Sequence, residues 1–393
     1  MNINKVHLPF LDGIRGIAIL VVFLFHSLAA SFGFGKLPWN GLFPDFDTTR
    51  SFLVLYPFTY GSAGVAMFFV VSGFCIHLSH QRSKDKGWLL FANRRLFRIY
   101  PPYLLAIALF FFISPWGSLD INSFPRLIQF FSHVFSIQNF SEKTLFGINP
   151  SFWSIAVEVQ LYAIYPLLLL FTKRLGWKSA LLIVGTIEVS IRTLAMVYGF
   201  WAENPLPLFV TLSPFGFWLS WSIGAYLCEC FLAGRSSRLF AFRFDVICLI
   251  AFALPLFRPT AGFKFLAFSF LTATAIERLM TEKWKLPTSR LATIAWNHLS
   301  LLGTVSYSFY LLHQPIINLT GELFEKTFPD SIIHPLVKYL TCIAWYFIIL
   351  FISYFFYRIV EQPSVHLGKI VWRKIEKPKR SAQEGAEPIA SEL

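Results

Sequence analysis

Apolar residues gather along this chain in ten stretches, roughly 11–32, 61–79, 99–115, 153–172, 179–199, 208–231, 245–257, 262–276, 299–319 and 336–357. A helix needs about 20 apolar residues to cross a hydrocarbon layer of ~30 Å. Inside lipid the backbone can satisfy its polar groups only in helices or closed barrels. The pattern predicts an all-α fold, a polytopic membrane helix bundle with about ten transmembrane helices. The seventh and eighth stretches are short, and Pro255, Arg258 and Pro259 predict a tight outer turn between them. The first stretch does not read as a cleaved leader. It carries Asp12, Arg15 and His26 and lacks a small-residue cleavage site after a clean apolar core.

Composition agrees. Of 393 residues, 55% are hydrophobic, 18% aromatic and only 14% charged, against roughly 25% charged in soluble domains. With a mean hydropathy of +0.58, this excludes a disordered chain, a disulfide scaffold and an ordinary cytosolic enzyme. The net charge of +13 would suit a nucleic-acid binder if it lay on one soluble face, but it lies in the loops beside the apolar stretches. With the N-terminus placed inside, 24 of the 34 Lys and Arg fall on the inner side and seven on the outer. The positive-inside rule therefore predicts both termini in the cytoplasm, with the lipid bilayer and not nucleic acid as partner. The long outer segments 33–60 and 116–152 are rich in aromatics, Gly and Pro and suit re-entrant or lid structures. Residues 1–368 read as one membrane domain and 369–393 as a polar, disordered cytoplasmic tail. Five cysteines, odd in number and all in apolar runs, argue against a disulfide framework. With no CxxC pair or nearby Cys/His set, no metal site is expected.

Ionisable residues inside spans are costly and mark function by default. Arg15 and His26 are eleven residues apart, so at 100° per residue they fall about 20° from eclipsed, about 16 Å apart along the axis. Asp12 shares that face. Singly, each reads as well as an interfacial ion pair or a hydrogen-bonded core histidine; together they read as a functional lining. After the second stretch come Arg94, Arg95 and Arg98. They serve as topological anchors, or their guanidinium forks bind the phosphates of a nucleotide-bearing donor from the cytoplasm. Glu158 lies one to two turns inside the fourth stretch with Tyr162 one turn on; it is either a buried protonated or paired carboxyl, or a group that orients a histidine or a substrate hydroxyl. Glu188 and Arg192, four apart, read as mutual neutralisation, and Tyr310 and His313, three apart, share a face.

At this point the chain resembles the acyltransferase-3 family of membrane acyltransferases. Its opening signature is similar to Leu11-Asp12-Gly13-Ile14-Arg15-Gly16-Ile17-Ala18 followed by His26. Five further blocks come in the same order: Gly64–Phe74, the Arg94-Arg95 block, Phe152–Tyr162, Tyr307–Pro315 and Tyr357–Pro363. The family's arginine, ten residues, then histidine falls on Arg15 and His26. Its arginine-rich acyl-CoA element falls on Arg94, Arg95 and Arg98, and its Trp-Ser-x-x-x-Glu block on Trp153, Ser154 and Glu158. Ala66 and Val159 stand where many relatives have acidic residues, which bears on acceptor choice. No esterase-like domain follows residue 368, so the resemblance is to the stand-alone form.

The resemblance implies an integral protein of the bacterial inner (cell) membrane that transfers an acyl group, commonly acetyl, from cytoplasmic acyl-CoA to a hydroxyl. The acceptor would be a cell-surface glycan or lipid-linked sugar; a small-molecule hydroxyl is the alternative. No tightly bound cofactor is implied; acyl-CoA (acetyl-CoA) is a co-substrate. Arg94, Arg95 and Arg98 would hold its phosphates, with Arg15 placing the thioester arm. His26 would act as general base, its ordinary pKa suiting the task, and Glu158 would orient His26 or bind the acceptor. A rival of another class is a secondary transporter, in which the polar stripe is an ion or proton path.

Overall fold

The structure, a computed structural model, describes residues 8–37, 55–83, 85–113, 124–201, 206–327 and 335–384, and within them it is an all-α bundle with no strand. Seven stretches are long and apolar enough to cross a membrane among the described residues, making this an integral membrane protein. Helix α1 (Pro9–Phe32) starts on a proline whose fixed φ and missing N–H suit the first turn. It ends at Gly33, where φ is 91° and the N–H bonds the Ala29 carbonyl at 2.9 Å. A 3₁₀ segment, Tyr56–Ala63, leads into α2 (Gly64–Arg82). α3 (Trp88–Ile113) runs through Pro101 and Pro102. The predicted third span, 99–115, is thus preceded by three more helical turns, which lift the arginines out of a loop and onto the helix.

The fourth and fifth stretches lie in one 49-residue element, α5 (Trp153–Trp201), bent at Gly176, whose φ of 79° and ψ of 164° are not helical. At 1.5 Å per residue an unbroken rod would be about 74 Å long, more than twice the hydrocarbon thickness; each arm alone is long enough to cross. The sixth stretch becomes α6 (Trp218–Leu232), and the seventh the short α7 (Phe244–Ala253). The eighth becomes α8 (Lys264–Met280). The ninth departs from expectation. It is divided at Val305 between α9 (Arg290–Thr304) and α10 (Ser306–Thr327) and is not among the seven apolar crossings. The tenth is α11 (Pro335–Ala344) and α12 (Tyr346–Phe356), which passes through a π-turn, Tyr357–Glu361, into α13 (Gln362–Glu384). α13 runs across the boundary read at residue 368, and 385–393 lie outside the described residues. So do 38–54 and 114–123 of the two long outer segments.

Two close crossings hold the bundle's centre. A Cβ at Gly16 would strike the Leu299 carbonyl, and one at Gly303 the Asp12 carbonyl, so α1 and α9 meet backbone to backbone. A Cβ at Gly73 would strike the Trp221 carbonyl, and one at Gly224 the Val70 carbonyl, giving the same contact between α2 and α6. Lipid tails are as apolar as leucine, so such helices gain by close packing, and small residues permit it. Nearby, buried Arg192 meets Glu188 at 2.8 Å, as the spacing predicts. The pair also ties elements together. Arg192 donates to the carbonyls of Gly216 and Gly262, and Glu188 accepts from the backbone and hydroxyl of Ser220.

Candidate functional site

A cavity of about 110 Å³ opens where α1, α2, α3, α5 and α10 converge. Of the residues lining it, Arg15, Arg95 and Arg98 carry guanidiniums and Glu158 a carboxylate; Ser72, Cys75, Tyr162, Ser306, Tyr307 and Tyr310 add weaker polar groups. α3 supplies two of the arginines because residues three apart on a helix lie on adjacent ridges of one face. Arg95 donates from Nη2 to Ser79 Oγ at 2.7 Å and stacks its guanidinium 5.6 Å from the Phe91 ring. Its Nε is buried without an acceptor. An unfilled donor on a half-buried cation is costly in a protein. Arg94 is placed one step to the side. It lines a small second pocket with His80, Ser83 and Asp85, which Arg95 also lines, and is not among the residues that line the cavity.

Glu158 sits on α5 facing α2. Its carboxylate accepts from Ser72 Oγ at 2.6 Å and from the Tyr162 hydroxyl. No hydrogen bond joins it to His26 among the described residues. α5 presents Glu158 at the level of Arg15 and Arg95, whereas His26 lies eleven residues along α1 from Arg15, about 16 Å by helix rise. Arg15 and His26 share a helix face as predicted, but His26 is not part of the cavity lining. His26 Nδ1 meets His313 Nε2 at 2.8 Å, and both side chains are held by aromatic neighbours. The His26 ring lies 5.2 Å from that of Phe25, and the His313 ring 5.4 Å from that of Tyr310. Tyr310, His313 and His26 thus form a row that begins at the cavity wall.

The start of α5 is latched to α10 and fixes this row. Ser151 Oγ bonds Gln314 Oε1, Asn149 Nδ2 donates to the Leu311 carbonyl at 3.1 Å, and Ser154 Oγ meets the Tyr310 hydroxyl at 2.6 Å. Behind the cavity, buried Glu361 accepts from Ser308 at 2.7 Å on the π-turn, close enough to Arg98 to act on its charge. Sequence reading missed Ser72, Ser306 and Glu361 as site residues. Ser72 and Glu361 lie within quoted signature blocks, which was their signal; Ser306 had none. Ala66 packs in an apolar cluster with Tyr60, Ala267 and Phe268, and neither it nor Val159 lines the cavity.

Comparison with known proteins completes the description. Residues 8–361 match the model of a family described as an acyltransferase domain. Among similar proteins is O-acetyltransferase OatA of Staphylococcus aureus, 24% identical over 81% of this chain and 52% of its own length. Another is peptidoglycan O-acetyltransferase OatA of Listeria monocytogenes, 26% identical over 83% and 52%. A third is acyltransferase MdmB of Streptomyces mycarofaciens, 31% identical over 41% and 39%. The chain thus spans about half the length of the OatA relatives it matches. No solved structure matches. A match over nearly the whole bundle, with Arg15, His26 and Glu158 inside it, makes this chain a member of the acyltransferase-3 family.

Proposed function

We propose that the chain is a membrane O-acyltransferase. It moves an acyl group, acetyl in the first place, from cytoplasmic acyl-CoA to a hydroxyl of a cell-surface or exported glycan. The observation that carries the reading is the cavity in which Arg15, Arg95 and Arg98 converge, with the Tyr310–His313–His26 row leading away from its wall. Guanidiniums suit the phosphates of CoA, and the cavity of about 110 Å³ that they border would receive part of its acyl-bearing arm. The chain's kinship to proteins named O-acetyltransferase, one of them a peptidoglycan O-acetyltransferase, supports the hydroxyl acceptor.

In this reading His26 takes the acceptor's hydroxyl proton on Nε2. The oxygen attacks the thioester carbonyl, a C–O bond forms and the C–S bond breaks. The proton then passes from His26 to the CoA thiolate, so direct transfer balances without an acyl-enzyme. Arg15 and Arg95 hold the donor, and Glu158 keeps the cavity's hydroxyls of Ser72 and Tyr162 in place. The test is acyl transfer in purified membranes supplied with labelled acetyl-CoA, together with mass spectrometry of surface glycans from cells with and without the chain. The expected result is a labelled glycan that disappears in His26→Gln. Solute uptake without acyl-CoA consumption would overturn the reading in favour of a transporter, and a labelled small molecule in place of glycan would move the acceptor assignment.

A further inference from the structure

His313 is buried completely, and its hydrogen bonds settle which of its nitrogens carries the proton. Nδ1 faces two backbone carbonyls, that of Tyr310 at 2.8 Å and that of Phe309 at 3.2 Å. A carbonyl oxygen only accepts, so Nδ1 is the donor and bears the proton. In the neutral ring Nε2 then has a lone pair and no hydrogen. That lone pair faces His26 Nδ1 at 2.8 Å. For the contact to be a hydrogen bond, His26 must carry its proton on Nδ1, which leaves the lone pair of His26 on Nε2. Two backbone carbonyls on α10 thereby dictate, through one imidazole, the tautomer of a second imidazole on α1.

We propose that His313 is a positioning residue that holds His26 in the tautomer with a basic Nε2. The inference rests on the reading of His26 as the base and adds how that base is oriented. It is the arrangement in which the second ring nitrogen of a functional histidine is fixed by a partner, with an imidazole in the place a carboxylate usually takes. A neutral partner orients the ring without bringing a second charge into the bundle. When His26 takes up the hydroxyl proton, the Nδ1–H to Nε2 bond becomes charge-assisted and strengthens. The surroundings favour this division of labour. Phe309 lies near-parallel to His313, with ring centroids 6.0 Å apart, and Phe25 and Phe34 flank His26. The packing holds both rings, and among the described residues His26 Nδ1 has no other hydrogen-bond partner.

The test uses the full chain reconstituted in liposomes. His313→Gln keeps an acceptor toward His26 and a donor toward the Tyr310 carbonyl; His313→Leu keeps neither. Expected are a fall of roughly 10²–10⁴-fold in kcat for His313→Leu with KM for acyl-CoA unchanged, and recovery to within about tenfold in His313→Gln. ¹⁵N resonances of histidine-labelled protein should show His26 with Nδ1 protonated in the wild type, and a shift toward the Nε2–H tautomer in His313→Leu. Equal kcat in His313→Leu and wild type, with His26→Gln inactive, would overturn the positioning role and leave the base reading intact. Full activity in His26→Gln would overturn the base reading instead. Should His313→Leu fail to insert, an Nε2–H tautomer of His26 in the wild type would itself overturn the proposal.

Discussion

Ser72 and Glu158 come from helices far apart in the chain and meet at 2.6 Å, hydroxyl to carboxylate, in the wall of the cavity. With Tyr162 as second donor, this contact determines where the one carboxylate lining the cavity among the described residues points. A hydrogen bond to a charged group contributes about 1.5–3 kcal/mol. Ser72→Ala should therefore lower acyl transfer by roughly ten- to a hundredfold, and Glu158→Ala by more, since it leaves two hydroxyls without their acceptor. Neither should alter the His26 tautomer. Turnover by Glu158→Ala equal to wild type, at matched protein level, would remove the carboxylate from the mechanism.

The three arginines of α3 should separate in a binding experiment. Arg95 and Arg98 line the cavity, whereas Arg94 lines only the small second pocket, which Arg95 shares. Charge-assisted bonds to phosphate of about 1.5–3 kcal/mol each predict a ten- to hundredfold loss of acyl-CoA affinity in Arg95→Ala and Arg98→Ala. Arg94→Ala, outside the cavity lining, should lose about threefold or less. Equilibrium binding of labelled acyl-CoA to detergent-solubilised protein distinguishes the cases. Equal losses at all three positions would mean that they act as one electrostatic patch.

What could be read in the sequence, and what could not, divides along physical lines. Period and spacing act within one helix, so the angular match of Arg15 with His26 and the pairing of Glu188 with Arg192 were both legible. Hydropathy located nearly every crossing, because lipid imposes the length. Contacts between helices leave no local trace. The Ser72–Glu158 contact spans 86 positions and the His26–His313 contact 287. Glu158 was linked to His26 only by family resemblance, and the helix levels separate them. The break at Val305 escaped because α9 is more polar than a lipid-facing span and keeps its place by backbone contact with α1.

Two glycines of the close crossings, Gly16 in the opening signature and Gly224 on α6, have a packing cause that makes a further prediction. At Gly16 and Gly224 a side chain would enter a neighbouring backbone carbonyl, and backbone cannot move aside as a flexible side chain can. Overpacking of this kind costs about 1–3 kcal/mol or more. Gly224→Val and Gly16→Val should lower the thermal midpoint and yield of solubilised protein by more than Gly262→Ala, whose added methyl meets open space. A Gly262→Ala variant as unstable as Gly224→Val would break the argument.

The charge asymmetry of 24 against seven predicts the orientation of the bundle. Lys143 is exposed on the segment between α4 (Phe124–Val134) and α5, and Lys369 is exposed on α13. In a chain with its own cysteines replaced, Lys143→Cys should react with a membrane-impermeant maleimide in intact cells. Lys369→Cys should react only after permeabilisation. The reverse pattern would invert the topology and put the arginine cavity on the wrong side for a cytoplasmic donor.

α4 lies outside the apolar crossings, and its His133 predicts a pH-sensitive segment there. The ring is fully buried, Nδ1 donates to the Gln129 carbonyl at 2.7 Å, and Nε2 has no hydrogen-bond partner. Protonation would bury a cation with an unused N–H, so burial pushes His133 down to about 4, against about 6.5 in an unfolded chain. Because the folded value is the lower one, the neutral ring's contribution is fully present above about pH 6.5. It is lost as pH falls from there toward 4, where both states become protonated. At pH 5 the loss is about 2 kcal/mol, or roughly thirtyfold in the local opening equilibrium. Amide exchange over residues 124–152 should therefore be faster at pH 5 than at pH 7.5, after correction for the intrinsic rate. His133→Gln should flatten that difference, because an amide does not titrate in this range. Equal protection at both pH values in the wild type would show that His133 is not held neutral by its surroundings.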